Sequence, residues 1–299
     1  MSLSINSLQT FSLMFLKNIN SANRIVQKSL EQLSTGSKIN SAADDPAGYT
    51  KLSKLNTSLS SYAQAQENTQ EGLSLITVAN GALESVNDDL ELVREYALKA
   101  SSDTLTDDQR ASYQTLVNDL GNGIISTLKN TKFNEIEIFG SNPGSYTAVT
   151  SSNPDAEPDS IPTQTTKELR IQVGVDSSDS SAIIVDTGIN YGDITFNLST
   201  AEKSSETVGY LDDLISHTTK KLSNLGSSSV ALTASLDRQT EAISNLTEAK
   251  STISDADYAS SMLNLLKGQM LMETNVSMLL SAQQSHKSVI LNLLYGSVA

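Results

Sequence analysis

Two histidines, His217 and His286, stand in a 299-residue chain that contains no cysteine. They sit in separate helical stretches, and neither has a second His or a Cys at i±4, so no metal-ligand set is expected. The aspartate pairs Asp88–Asp89, Asp107–Asp108 and Asp212–Asp213 could in principle do acid–base work. With no partner nucleophile and no motif around them, they read as solvated helix faces or caps. Met262, Met270, Met272 and Met278 lie close together on one stretch and read as adaptable packing rather than a cofactor box. The chain has no phosphate loop, no G-x-S-x-G elbow and no H-E-x-x-H zinc signature. No catalytic centre, cofactor or metal is therefore expected, and the chain reads as a non-enzyme.

The composition points to a different kind of work. Apolar residues make up 38% of the chain but aromatics only 5%, and there is no Trp. This favours helix-on-helix packing by aliphatic side chains. The net charge is −14 and is unevenly spread. Residues 1–43 carry +3 and residues 256–299 carry zero, which leaves −17 for the middle. An acidic body argues against nucleic-acid binding by bulk electrostatics. No window approaches the ~20 apolar residues of a membrane span. The first positive charge is Lys17 and the apolar run "SLMFL" is short, unlike a Sec signal. The nearly uncharged, apolar ends look made for burial.

These residues must be positioned by long helices. Four of the five prolines fall between Pro143 and Pro162, and Pro46 is the other. The rest of the chain is free to be helical over long distances. Apolar positions Leu8, Phe11, Phe15, Ile19, Ala22, Val26 and Leu33 predict a first helix over about 5–33. A second helix is predicted over about 57–100, a rod of ~60 Å. A shorter one follows "TLTDDQR" and ends near Lys129. From Phe133 the period changes to two, and "FNEIEIFG", "ELRIQVGV", "SAIIVDTG" and "DITFNLS" predict two β-hairpins or a small sheet over about 133–199. Residues 141–166 read as an exposed loop. Leu211, Ile215, Thr218, Leu222, Leu225, Ser229, Leu232 and Leu236 follow a heptad. After a break at "STISDADYA" comes a final helix, apolar over most of its circumference, which needs more cover than one partner helix gives. The predicted fold is mainly α, with long antiparallel helical coiled-coil or bundle rods and a small β-hairpin region in the middle of the chain.

Two stretches carry a family resemblance. "LSTGSKINSAADDPAG" (33–48) resembles the N-terminal signature of bacterial flagellins, and "ISDADYASSMLNLLKGQMLMETNVSMLLSAQQSHKSVILNLL" (253–294) resembles their C-terminal signature. "KFNEIEIFG" and "LRIQVGV" resemble the β elements of the flagellin outer core. Pro46 departs from the usual alanine and is similar to the "DDP" of hook–filament junction proteins. Large variable outer domains are missing, and "YGSVA" extends past the usual "LL".

The resemblance implies a subunit that polymerises into the extracellular flagellar filament. The alternative is a hook–filament junction protein of the same superfamily. It implies a discontinuous inner core, 1–43 with 256–299, and an outer core, 44–255. It implies that Leu8, Phe11, Phe15, Ile19, Met272, Leu279, Ile290 and Leu293 form the polymerisation interface. Gly36, Asn40, Asp44, Asp45 and Gly48 would form the connector between shells. The implied partners are copies of itself, an export chaperone on the final helix, and the filament cap and hook-associated proteins. The flagellar type III apparatus would export it. The innate receptor that senses flagellin would meet Arg94 and Leu98. The glutamate that recognised members carry on the next helix is replaced by Thr115, which predicts weakened recognition.

Overall fold

The structure is a computed structural model and describes residues 2–140, 145–146, 167–176, 178, 181–189 and 193–295. Helices α1 (Ser2–Thr35), α2 (Pro46–Ala100) and α3 (Asp107–Asn130) come first. Six short strands follow: β1 (Lys132–Phe133), β2 (Ile136–Glu137), β3 (Ser145–Tyr146), β4 (Glu168–Gln172), β5 (Ala182–Asp186) and β6 (Asp193–Ile194). Helices α4 (Ala201–Ser254) and α5 (Tyr258–Tyr295) complete the chain. The mainly helical fold with small hairpins is the one that the periodicity predicts. Two compact units emerge, 60–243 and 1–59 with 244–299, and their division falls within α2 and α4. The resemblance had instead set the boundary at 43/44 and 255/256, in the connectors.

Unit 60–243 is built on three heptad stripes. On α2 the covered positions are Ala65, Thr69, Gly72, Ile76, Ala79, Leu83, Val86, Leu90, Val93, Ala97 and Ala100, stepping four and three without interruption. Arg110, Gln114, Val117, Gly121, Ile124 and Leu128 repeat the pattern on α3, and Leu211, Leu214, Thr218, Lys221, Leu225 and Leu232 carry it on α4. Such a repeat keeps one seam facing its neighbours along a long helix. The three stripes share one buried core with Ile138, Phe139, Val185, Phe196 and Leu198.

The turn from α2 to α3 is set by local chemistry. Thr106 caps α3, accepting from the Gln109 amide, while the Gln109 side chain accepts from the Thr106 amide at 3.0 Å. Asp107 and Asp108 form the first turn, where their negative charge meets the positive end of the helix dipole. Buried Arg110 donates to the carbonyl of Ala100, satisfying the end of α2.

The β region contains two antiparallel hairpins, β1–β2 and β4–β5, the latter in register from Glu168↔Asp186 to Gln172↔Ala182. A short parallel pairing, β3–β6, joins Ser145–Tyr146 to Asp193–Ile194. Those two residues fall inside 141–166; the rest of that predicted loop lies outside the described residues. Only the start of "DITFNLS" is strand. The remainder is fixed by side chains: Gln114 donates to the Phe196 carbonyl at 2.7 Å and accepts from the Leu198 amide at 2.6 Å. Thr207 exchanges hydrogen bonds with the Asn197 backbone at 3.0 and 3.2 Å. A buried segment without ladder partners must be satisfied in this way.

Two glycines in α2 have opposite environments. Gly72 lies on the seam under Ile171, whose Cδ1 would stand 2.5 Å from an added Cβ. Nothing lies within 4 Å of a Cβ at Gly81. Gly81→Ala should therefore raise stability by about 1 kcal/mol through helix propensity. Gly72→Val should lower it by about 1–3 kcal/mol through overpacking against β4. Thermal unfolding of the two variants should shift in opposite directions.

Candidate assembly surface

The connector starts where α1 stops. Gly36 has φ +69° and its amide bonds back to the Gln32 carbonyl at 2.9 Å, a left-handed helix stop that glycine makes without steric cost. Ser37 then pairs with Asp255 in an antiparallel bridge. The Lys38 amide donates to the Ser254 carbonyl at 2.6 Å and the Ala256 amide to the Gly36 carbonyl at 2.9 Å. The hydroxyls of Ser37 and Ser254 lie 2.8 Å apart. The two signature stretches, distant in sequence, are thus sewn into one joint.

The second half of the connector starts α2. Asp45 Oδ1 accepts from the amides of Ala47 (3.1 Å) and Gly48 (3.0 Å), and Pro46 takes the first helical position, where its missing N–H costs nothing. The helix accordingly begins at Pro46 rather than near residue 57. Gly48 has no room for a side chain, since a Cβ would meet Ile39 Cδ1 at 2.6 Å and run into the Asp45 carboxylate. Asn40 donates to the Ser37 carbonyl at 3.1 Å. All five predicted connector residues therefore have structural tasks in this joint.

Asp44 is its electrostatic centre. Its carboxylate pairs with Lys28 on α1 at 3.0 Å and accepts from the Asn40 amide (3.3 Å) and from the Ser41 amide and hydroxyl (both 3.1 Å). The Lys28 bond, followed by the Ser41 amide, lowers its pKa from 3.8 to about 2.

Beyond the joint, α1 and α5 run antiparallel. Tyr258 donates to the Leu33 carbonyl at 2.9 Å, Ser261 and Gln32 side chains are 3.4 Å apart, and Gly268 sits against Ala22, Ile25 and Val26. The covered stripe on α1 is Phe15, Ile19, Ala22, Val26, Ser29 and Leu33. On α5 it is Ser261, Leu265, Gly268, Met272, Asn275, Leu279 and Ala282. Small and polar side chains dominate the closest approach. An added Cβ at Gly268 would come within 2.8 Å of Val26.

Many further large apolar side chains lie outside this seam. Leu13, Met14, Leu16 and Leu30 on α1 are exposed, as are Met262, Leu263, Leu266, Met270, Leu271, Val276, Met278 and Leu280 on α5. Leu263 is 67% exposed and Met270 63%. Of the eight residues singled out from the resemblance, Phe15, Ile19, Met272 and Leu279 are half-buried on the seam within the chain. The side chains of Leu8, Phe11, Ile290 and Leu293 lie outside the described residues. The outward set was visible in the sequence only as apolar residues off the periodic seam. The polar members Ser261 and Asn275, repeating at heptad spacing, were the signal for the covered side.

Elsewhere, Arg94 on α2 pairs with Asp212 on α4 at 2.5 Å, and Leu98 and Thr115 are exposed. His217 is half-buried on α4, its pKa lowered by burial and then by Lys221 and Lys220. Asp213, one turn before it, is exposed. Among the described residues no three His, Cys, Asp or Glu side chains gather into a metal-binding group, and no helix is long and apolar enough to cross a membrane.

Residues 5–142 match the bacterial flagellin N-terminal helical region, and residues 208–294 match the bacterial flagellin C-terminal helical region. The chain belongs to the flagellin family. Among similar proteins are a flagellar filament 33 kDa core protein of Treponema phagedenis, 27% identical over 92% of this chain and 94% of its own length. A flagellin of Bacillus subtilis is 27% identical over 92% of this chain and 95% of its own length. A solved Vibrio parahaemolyticus structure, provisionally assigned as a flagellar hook-associated protein, shares the fold: TM-score 0.53, 18% identity, 71% of this chain and 100% of that one. In this flagellin-family chain the joint holds both family signatures, and the helix pair beyond it carries the outward apolar face.

Asp44 has a pH signature. Because its pKa is lower in the folded state, the stability it adds is fully present above about 3.8 and is lost as pH falls through about 2. The difference in melting temperature between the parent and Asp44→Asn should be constant above pH 4 and shrink towards zero near pH 2. Thermal unfolding at matched pH values checks this.

Proposed function

We infer that the chain is the structural subunit that polymerises into the helical filament of the bacterial flagellum, outside the cell. The observation that carries this reading is the outward apolar face of the α1–α5 pair. Monomeric proteins rarely leave so many large apolar side chains uncovered on one element. Copies of the same chain, repeating along a helical array, would cover them. The seam residues Phe15, Ile19, Met272 and Leu279 hold the pair within one subunit, while Leu13, Leu16, Leu263, Leu266 and Leu280 meet neighbouring subunits. Residues 1–43 and 256–299 would then form the inner shell, 44–255 the outer one, and the joint at Gly36–Gly48 would link them.

The same exposed face needs protection before assembly. An export chaperone bound over about 260–294, and passage through the flagellar type III apparatus, supply it in this reading. The filament cap and hook-associated proteins are the partners at the filament ends. The junction-protein reading drew on Pro46. That residue is accounted for as the first position of α2, a task at any helix start.

Substituting an outward leucine separates assembly from folding. Leu263→Asp or Leu280→Asp leaves the monomer folded, since both side chains are exposed. Burying an unpaired carboxylate between subunits should raise the critical concentration on the order of tenfold or more. Sedimentation of seeded, salted-out protein reads this directly; polymerisation at the parent concentration counts against the surface.

Recognition by the innate receptor is proposed to be weak. Leu98 is available, but Arg94 is engaged by Asp212 and Thr115 offers no charge. Restoring a carboxylate with Thr115→Glu should increase receptor-reporter potency by about thirtyfold, the equivalent of the ~2 kcal/mol of a charged interface contact. An unchanged titration would remove Thr115 from the contact.

A further inference from the structure

Helix α5 carries four of the six methionines of the chain, and they are not equivalent. Met272 lies on the seam against α1 and is half-buried. Met262, Met270 and Met278 are 50%, 63% and 52% exposed. Exposed leucines share their faces of the helix: Leu266 lies one turn from both Met262 and Met270, and Leu271 lies two turns before Met278. Three accessible thioethers are thus set into the apolar face that assembly would bury, with a shielded fourth in the same helix.

We propose that Met262, Met270 and Met278 are an oxidation site that switches self-assembly off. The substrate class is a hydroperoxide, hydrogen peroxide being the simplest. A sulfur lone pair attacks one peroxide oxygen, an S–O bond forms and the O–O bond breaks. The sulfur loses two electrons and becomes a sulfoxide. The second oxygen leaves as hydroxide, takes the proton from the transferred oxygen and departs as water. The side chain changes from a flexible apolar group to a polar one with a strong acceptor. On an exposed face that acceptor is solvated and the monomer keeps its fold. In a dry contact between copies it is buried without a donor, which opposes assembly. The modification can be undone by a separate reaction: methionine sulfoxide reductases, one enzyme for each sulfoxide epimer, return the thioether with two electrons and two protons from a dithiol reductant, which becomes a disulfide, and the oxygen leaves as water. The switch rests on the filament reading above, while the selectivity among the methionines rests on the monomer alone.

The test uses the full chain. Monomer is treated with hydrogen peroxide, sulfoxide is mapped by peptide mass spectrometry, and seeded polymerisation is followed by sedimentation. Met262, Met270 and Met278 should oxidise faster than Met272. The oxidised monomer should keep its helical circular dichroism and show a critical concentration raised on the order of tenfold or more. Both reductases together should restore the parent value. The triple variant Met262→Leu/Met270→Leu/Met278→Leu, close in volume, should polymerise with or without peroxide. Complete oxidation of the three with unchanged assembly overturns the switch. Equal peroxide sensitivity in the triple variant overturns its assignment to α5 and moves it to Met14, which is also exposed. Equal oxidation rates at Met272 and the other three overturn the site itself. If untreated protein forms no polymer, the filament reading fails, and the mapping still decides the selectivity.

Discussion

The structure depends on one constraint: two helices cover only one stripe of each other, and α1 and α5 carry more apolar surface than that stripe holds. Phe15, Ile19, Val26, Leu33, Leu265, Met272 and Leu279 line the covered stripes, with Ala22, Ser29, Ser261 and Gly268 among them where the backbones approach. Gly268 admits Val26 where any side chain would collide. Leu13, Leu16, Leu263, Leu266, Met270 and Leu280 are left outside the seam. A helix apolar over most of its circumference needs more cover than one partner gives. The cost of exposed leucine and methionine is removed only when another surface covers them.

The joint holds the near ends of that pair together. Ser37 bridges Asp255, Asp257 accepts from Ser260 at 3.1 Å to start α5, Asp45 starts α2, and Asp44 ties the turn to Lys28 on α1. Two helix starts, one helix stop and an ion pair occupy a few residues on each side. Each device is individually modest, as caps and surface ion pairs are. Together they leave the backbone of the turn few unsatisfied groups and fix how both terminal helices leave it. The rest of the chain works differently. Unit 60–243 closes its own core through the heptads of α2, α3 and α4 and needs no second copy to do so.

Much of this was legible in the sequence. Unbroken heptads, a proline-free background and the change to a period of two fixed the helices and the hairpins. The two signatures pointed to the family. Other features were hidden for physical reasons. The pairing of "GSK" with "SDAD" is made by backbone groups and serine hydroxyls, which leave no periodic trace. The predicted start near residue 57 is late: Tyr49, Leu52, Leu55 and Leu59 already repeat at helical spacing, and the Asp45 cap ahead of Pro46 sets the true start. The parallel contact of Ser145–Tyr146 is too short to show alternation. On α5 the periodic positions Leu265, Met272 and Leu279 do fall on the covered side, while the small members Ser261 and Gly268 carry no apolar signal and were not visible as part of it. The outward face was nevertheless foreshadowed by a helix apolar around most of its circumference.

Hydrogen exchange of the backbone amides, compared between monomer and polymer, tests the central claim most directly. Pairing along a single seam, with no third element over it, should leave α1 and α5 open to local unfolding in the monomer. The account predicts fast exchange in both terminal helices of the monomer and strong protection in the polymer, while the core positions of α2, α3 and α4 exchange slowly in both. Terminal helices already as protected in a proven monomer as the core of unit 60–243 would contradict it.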